Sequence, residues 1–355
     1  MRKLLLGGLG LCAVLLAAGQ PSRAQTVEEF YGGKTVKFIV GSNTGGGYDT
    51  YSRLLTQFMG RHMPGNPTFV VENMPGASGT KSAQYLGEIA PKDGSVIGMF
   101  NQSMPQRQMF EPEQVQFDLA KFSWIGAMNS STTVFITWHG SGIKTLEDAK
   151  KKEVVMGALS ASGGNSVYPL LINAFLGTKF KVVLGYQGGN TIQLAMERGE
   201  VDGRAAVVWS SLTSGWPHWI EGKKINVLLQ TGLVKEKDLP DVPLLLDLAK
   251  TPEEKAIFRF VSSDSAIGFP VTAPPGIPAD RLAALRKAFN DTMKDPEFLK
   301  IAAERKVELE PSTGEQVKKV VEDMISTPKD VIAKIRKGLA EAQAQAQAGE
   351  KAKKQ

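Results

Sequence analysis

From residue 34 onward, short β-favouring runs alternate with stretches whose apolar residues recur at helical spacing. Thr35-Val36-Lys37-Phe38-Ile39-Val40 reads as a strand, and Tyr51, Leu54, Leu55, Phe58 and Met59 form the apolar stripe of the helix after it. Residues 69–71 predict a second strand, Ala83, Leu86 and Ile89 a second helix, and residues 95–100 a third strand. After a less regular stretch the pattern resumes, with strands over 154–158, 182–184, 205–209 and 227–229 and helices around 166–177 and 190–199. A strand over 266–271 leads into the rigid turn Ala273-Pro274-Pro275-Gly276-Ile277-Pro278, with Pro278 opening a helix that runs to about Met293. Thr327 before Pro328 caps a C-terminal helix, and the Lys-rich end, residues 346–355, reads as a solvated, disordered tail. Alternation of this kind predicts an α/β protein of two units, each a mainly parallel sheet flanked by helices.

The N-terminus departs from this pattern. Arg2 and Lys3 precede an apolar stretch over 4–18, and Ser22-Arg23-Ala24 offers small residues where a signal peptidase reads. Residues 1–24 are thus expected to be a cleaved secretory signal peptide, too short for a membrane span. The single cysteine, Cys12, leaves with it, so the mature chain has no disulfide and no Cys-based metal site. Removing Arg2, Lys3 and Arg23 leaves 39 basic against 36 acidic residues. No internal basic block is interleaved with aromatics, which argues against nucleic-acid binding.

Polar and glycine-rich residues gather where strands end, the edge at which open α/β sheets bind ligands. The first strand runs into Gly41-Ser42-Asn43-Thr44-Gly45-Gly46-Gly47-Tyr48-Asp49, the second into Asn73-Met74-Pro75-Gly76-Ala77-Ser78-Gly79, and the third into Asn101-Gln102-Ser103. In the second unit, Ser160-Ala161-Ser162-Gly163-Gly164-Asn165 and Gln187-Gly188-Gly189-Asn190 occupy the same places. These loops supply backbone N–H, hydroxyl and amide donors, and the helices behind them present unpaired N–H groups that attract an anion. One such loop alone is equally a turn or a helix cap. Four at equivalent places predict a clamp on a small anion. No Gly-Lys-Ser/Thr follows the glycines, which excludes a P-loop.

Arg204 leads into an apolar strand and needs either a carboxylate ligand or an internal partner, Asp202 or Glu200. Asp202 reads as a structural hydrogen-bond acceptor. Trp209, Trp216 and Trp219 either line a cleft or pack in the core, and Tyr48 is placed to cover a ligand. His62, His139 and His218 are scattered without a metal-binding spacing, and no G-x-S-x-G occurs. No catalytic residue, metal ligand or cofactor site is therefore assigned.

Together these motifs resemble the Bug family of substrate-binding proteins, the receptors of tripartite tricarboxylate transporters. The likeness covers nearly all of the mature chain. It rests on Thr44-Gly45-Gly46-Gly47-Tyr48-Asp49, Val71-Glu72-Asn73-Met74-Pro75-Gly76-Ala77-Ser78-Gly79, Tyr186-Gln187-Gly188-Gly189, Gly199-Glu200-Val201-Asp202, Leu239-Pro240-Asp241-Val242-Pro243 and the turn from Ala273 to Pro278. The resemblance implies a two-lobe periplasmic-binding-protein fold of type II, with a small carboxylate between the lobes. It implies pincers at 43–49 and 76–79 facing residues 160–166 and 187–189, closure of the lobes on binding, and delivery to a two-subunit membrane permease. Three departures fall in contact loops: Gly41-Ser42-Asn43 in place of a Pro and an aromatic, Ser78 in place of a glycine, and Val167-Tyr168-Pro169 in place of a more polar stretch.

The chain is thus expected to be an exported, monomeric, periplasmic binding protein. Lobe 1 spans 33–137 and 265–345, lobe 2 spans 138–264, and the hinges lie near 135–138 and 266–268. The expected ligand contacts are Asn43, Thr44, Gly45, Gly46, Tyr48, Asp49, Gly76, Ala77, Ser78, Gly79, Gln102, Ser160, Ser162, Gly163, Asn165, Gln187, Gly188, Gly189, Arg204 and Trp209. The alternatives are a ligand sensor for a signalling receptor and a secreted hydrolase with paired carboxylates.

Overall fold

The computed structural model describes residues 25–130, 132–161 and 163–353. The expected signal peptide with Cys12, and Ser162 of the second-lobe loop, lie outside the described residues. Strands β1 (Thr35–Val40), β2 (Thr68–Asn73), β3 (Val96–Met99) and β4 (Ser123–Asn129) enter a first sheet. The strands β5 (Thr133–Trp138), β6 (Val154–Gly157), β7 (Phe180–Val183), β8 (Gly203–Val208) and β9 (Ile225–Thr231) make a second. The chain then returns to the first sheet through β10 (Gly268–Ala273) and β11 (Ser312–Thr313). The strand orders are β11-β4-β10-β3-β1-β2 and β7-β6-β8-β5-β9.

Both sheets are mixed rather than mainly parallel. β1 runs parallel to β2 and β3, while β10 runs antiparallel to β3 and β4. In the second sheet β6 is parallel to β7 and β8, and β5 is antiparallel to β8 and β9. Apart from β10 on β3, these antiparallel pairs are made by β4 and β5, which lie in the stretch without a regular pattern, with β8, β9 and β10, which the sequence pattern predicts as strands. Every residue of β4 is buried, so its face-by-face alternation is invisible in the pattern of hydrophobicity. The first passage falls between Asn129 and Thr133, ahead of the 135–138 expected, because residues 133–138 already pair inside the second sheet. The return ends where β10 begins, at Gly268.

Strand alternation divides the core into three regions. Val36, Phe38 and Val40 face one cluster with Tyr51, Phe269 and Phe289, while Ile39 faces away from it. Val134, Ile136 and Val207 face another with Trp209 and Trp219. Between these, one cluster runs from Ile39, Phe100 and Trp124 to Phe135, Tyr168 and Leu229, so the two sheets share apolar contact. The last helix, Lys329–Lys353, packs on the helix Gly164–Leu176 behind the second sheet. It therefore straps the lobes together instead of belonging to the first alone. Its backbone takes in most of the stretch read as a disordered tail. No helix among the described residues is long and apolar enough to cross a membrane.

Candidate functional site

A cavity of about 280 Å³ lies between the sheets, at the strand ends where the glycine-rich loops meet. The helices Gly47–Met59, Gly164–Leu176 and Gly189–Glu197 begin at its wall. Each has glycine as N-cap, Gly46, Gly163 and Gly188 respectively, and none has a side-chain cap bond. The positive ends of three helix dipoles thus converge on one space.

Residues 76–79 form the opposite wall in a rare conformation. Gly76, Ala77, Ser78 and Gly79 have φ of 138°, 45°, 54° and 94°. The left-handed region is open to glycine but costs Ala77 and Ser78 about 1–2 kcal/mol each. The loop is held from behind. Buried Arg107 donates to the Ala77 carbonyl and the Thr80 hydroxyl, and its Nε bonds Glu111 at 3.1 Å. Gly79 N–H donates to Gly76 O at 2.9 Å and Ser82 Oγ to Gly79 O at 2.8 Å.

The first loop is fastened by Asp49, which is 3% exposed and lies behind the cavity wall. Its carboxylate accepts from Gly45 N–H, Arg53 Nε and Asn73 Nδ2, each at 2.9 Å. Asn73 Nδ2 also reaches Ser42 O at 2.9 Å, and Thr44 Oγ1 donates to Asn73 Oδ1 at 3.2 Å. Burial raises the Asp49 pKa, but these donors outweigh it and hold the carboxyl below its ordinary range. Asp49 and Thr44 therefore position the loop and do not face the cavity.

Arg204 points into the cavity from β8. Its guanidinium lies against Gly189, where a Cβ would sit 2.4 Å from Nη1. The internal partners are otherwise engaged: Asp202 accepts from Val155 N–H at 2.8 Å, and Glu200 lies 3.7 Å from Arg198. No protein hydrogen bond or ion pair reaches the Arg204 guanidinium among the described residues, and its Nε is buried without a partner. Desolvation without a countercharge pushes its pKa down to about 10.

Of the other expected contacts, Asn43, Gly45, Gly46, Tyr48, Gly76, Ala77, Ser78, Gly79, Asn165, Gln187, Gly188 and Gly189 line the cavity. The Tyr48 ring leans on Phe269, centroids 5.1 Å apart, and its hydroxyl accepts from Gln102 N–H at 3.1 Å. Gln102 sits beneath the wall. Ser160 and Gly163 are lobe-to-lobe contacts: Ser160 Oγ is 2.7 Å from Ser78 Oγ, and a Cβ on Gly163 would lie 2.2 Å from that same Ser78 Oγ. Trp209 is 4% exposed, in the core behind the second sheet, while Trp216 reaches the lining.

The sequence does not mark out Asp264 as a site residue, and Tyr168 stands out only within the departing stretch Val167-Tyr168-Pro169. Both are buried and line the cavity, with Tyr168 OH 2.7 Å from Asp264 Oδ2 and 2.6 Å from Gln106 Oε1. Desolvation pushes the Asp264 pKa up to about 7 despite the hydrogen bond from Tyr168. The only signal was a lone acid in Ser262-Ser263-Asp264-Ser265 before an apolar strand. Asp264 is the one carboxylate in the lining among the described residues, so the paired acids of a hydrolase are not brought together there. No cluster able to hold a metal ion occurs among the described residues.

Residues 55–337 match the family described as the tripartite tricarboxylate transporter family receptor. The Cupriavidus necator protein named "UPF0065 protein in gbd 5'region" is 25% identical over 339 residues, covering 93% of this chain and 95% of its own. Several solved structures share the fold at a TM-score of 0.66, BugD and MatC among them. The periplasmic binding protein BugD is 18% identical, with 85% of this chain and 97% of its own covered. MatC of Rhodopseudomonas palustris with bound malate is 17% identical, with 84% and 99% covered.

Two outcomes follow from this geometry. Asp49→Asn removes a charged acceptor of three donors and is expected to lower unfolding free energy by roughly 1.5–3 kcal/mol at neutral pH, read by urea denaturation. Because the folded carboxyl titrates below the unfolded one, the deficit is full above about pH 3.9 and shrinks as pH falls toward the folded value; a pH-independent deficit contradicts the charged role. Gly163→Val wedges a branched side chain against Ser78 and is expected to weaken solute binding about tenfold or more, with little change in melting temperature of the free protein. Unaltered affinity by calorimetry contradicts the close approach of the lobes in the bound state.

Proposed function

Since this chain belongs to the tripartite tricarboxylate transporter receptor family, whose members are periplasmic solute-binding proteins and not enzymes, we propose that it captures a small carboxylate between its lobes for a membrane permease. One observation carries the ligand chemistry: Arg204 is a desolvated cation in the cavity with no protein anion to meet it among the described residues. A ligand carboxylate supplies the missing charge in a bidentate geometry that suits guanidinium. The three glycine-capped helix starts add donors and a field of the same sign.

The cavity size supports a small solute, since about 280 Å³ falls near the low end of ligand pockets. The malate in MatC and the adipate in another R. palustris relative of this fold are carboxylates of that scale. Binding draws the loops of 43–49 and 76–79 toward those of 160–166 and 187–189. The closed surface is what a two-subunit permease reads in the periplasm, the mature chain acting as a monomer after loss of residues 1–24. A sensing role uses the same pocket with another membrane partner.

The test is titration calorimetry with a bound carboxylate. Arg204→Ala is expected to cost roughly 2–4 kcal/mol in affinity, with Arg204→Lys in between because an ammonium keeps the charge but loses the planar fork. Affinity unchanged in a folded Arg204→Ala protein contradicts the assignment.

A further inference from the structure

The cavity contains a second charge, a fully buried one, that a simple carboxylate leaves unanswered. Asp264 is 1% exposed, yet its side chain lines the same space as Arg204. Tyr168 satisfies Oδ2 at 2.7 Å, whereas Oδ1 is buried with no hydrogen-bond partner among the described residues. Arg204 does not reach it: the two form no ion pair or hydrogen bond among the described residues. The protein thus holds a cation and an anion apart in one small cavity, each short of a partner. A plain carboxylate answers Arg204 but is repelled by Asp264 at close range in a poorly hydrated space. A molecule carrying both signs answers both.

We infer that Asp264, braced by Tyr168, is the subsite for a protonated amine, so that the captured solute is a small amino acid whose carboxylate lies toward Arg204 and the helix starts. The inference rests on the carboxylate reading above and adds the second pole of the ligand. Tyr168 offers its proton to one oxygen and leaves the other without a partner at the cavity wall. Gln106 Oε1 competes for that single phenol proton, its own amide nitrogen donating to the carbonyls of Phe260 and Val261 at 2.7 and 3.0 Å, so one proton is shared between two acceptors. The carboxylate is therefore short of donors. Tyr48 and Tyr168 are the titratable groups whose charge bears on Asp264, and burial raises both phenols, so each stays neutral near pH 7. Arg204, at about 10, stays charged. Of the groups in the cavity, only Asp264 changes charge across the neutral range.

The experiment is titration calorimetry of the mature protein with butanoate, succinate and glutarate, each beside its 2-amino, 2-hydroxy and 2-acetamido derivatives. In a set that binds, the 2-amino acid is expected to bind about tenfold or more tighter than the parent and the acetamide. Asp264→Asn should abolish that preference, with the parent acid binding at least as tightly as to the native protein because the repulsion is gone. Should that variant not fold, the native protein gives the second readout. From about pH 8 to about pH 5.5, affinity for the amino acid falls as Asp264 protonates, and affinity for the parent acid does not. A parent or hydroxy acid that binds as tightly as the amine at about pH 8, or an amino acid whose affinity does not fall on acidification, overturns the inference and leaves the carboxylate reading intact. Binding by the neutral amides of these acids and by none of the acids defeats both.

Discussion

The structure around the cavity depends on the cost of keeping the Arg204 guanidinium charged where little water reaches it. Burial lowers its pKa, and no protein carboxylate restores it among the described residues. Gly189 is bare where the guanidinium packs, and Ala206, two residues along β8, takes the left-handed φ of 52° at the bulge between β8 and β5. Three helix starts then add positive potential instead of relieving it. A cavity with this field favours an anion, which offsets the guanidinium and the helix dipoles together.

Such a site binds well only if its donors are already in place, since each group ordered on binding subtracts from affinity. The two first-lobe loops are held by different means. Residues 41–49 hang on the Asp49–Asn73–Arg53 network, which lies entirely behind the wall. Residues 76–79 are kept in a left-handed run by Arg107, a buried cation that binds the Ala77 carbonyl and the Thr80 hydroxyl from behind. Glycine and serine at the meeting edges let the lobes approach to hydrogen-bond distance, as Ser78 and Ser160 do. Preorganisation within each lobe and close fit between lobes are thus supplied by separate residues.

How much of this the sequence reveals depends on which physical signal each feature leaves. The β1 loop, the 76–79 loop and the helix starts were legible because glycines clustered at strand ends have few other uses. Arg204 was legible because a guanidinium entering an apolar strand demands an explanation. The strands β4 and β5 were not, since both lie in the core and leave no alternation to read. Asp49, Ser160 and Gly163 carried the residue types of ligand contacts, yet distinguishing a contact from the residue that steadies it requires the third dimension. Asp264 and Tyr168 are distant in the chain and ordinary in their surroundings; only folding sets them side by side in the cavity.

The central claim is that the cavity is built for a carboxylate. It is tested most directly by thermal unfolding of the mature protein with a panel of small carboxylic acids, each beside its neutral carboxamide. An acid at about 100 times its dissociation constant should add about 2.7 kcal/mol of stability and raise the melting temperature by several degrees, while its amide leaves it unmoved. Equal shifts by acid and amide, or shifts by neutral compounds alone, would contradict the account.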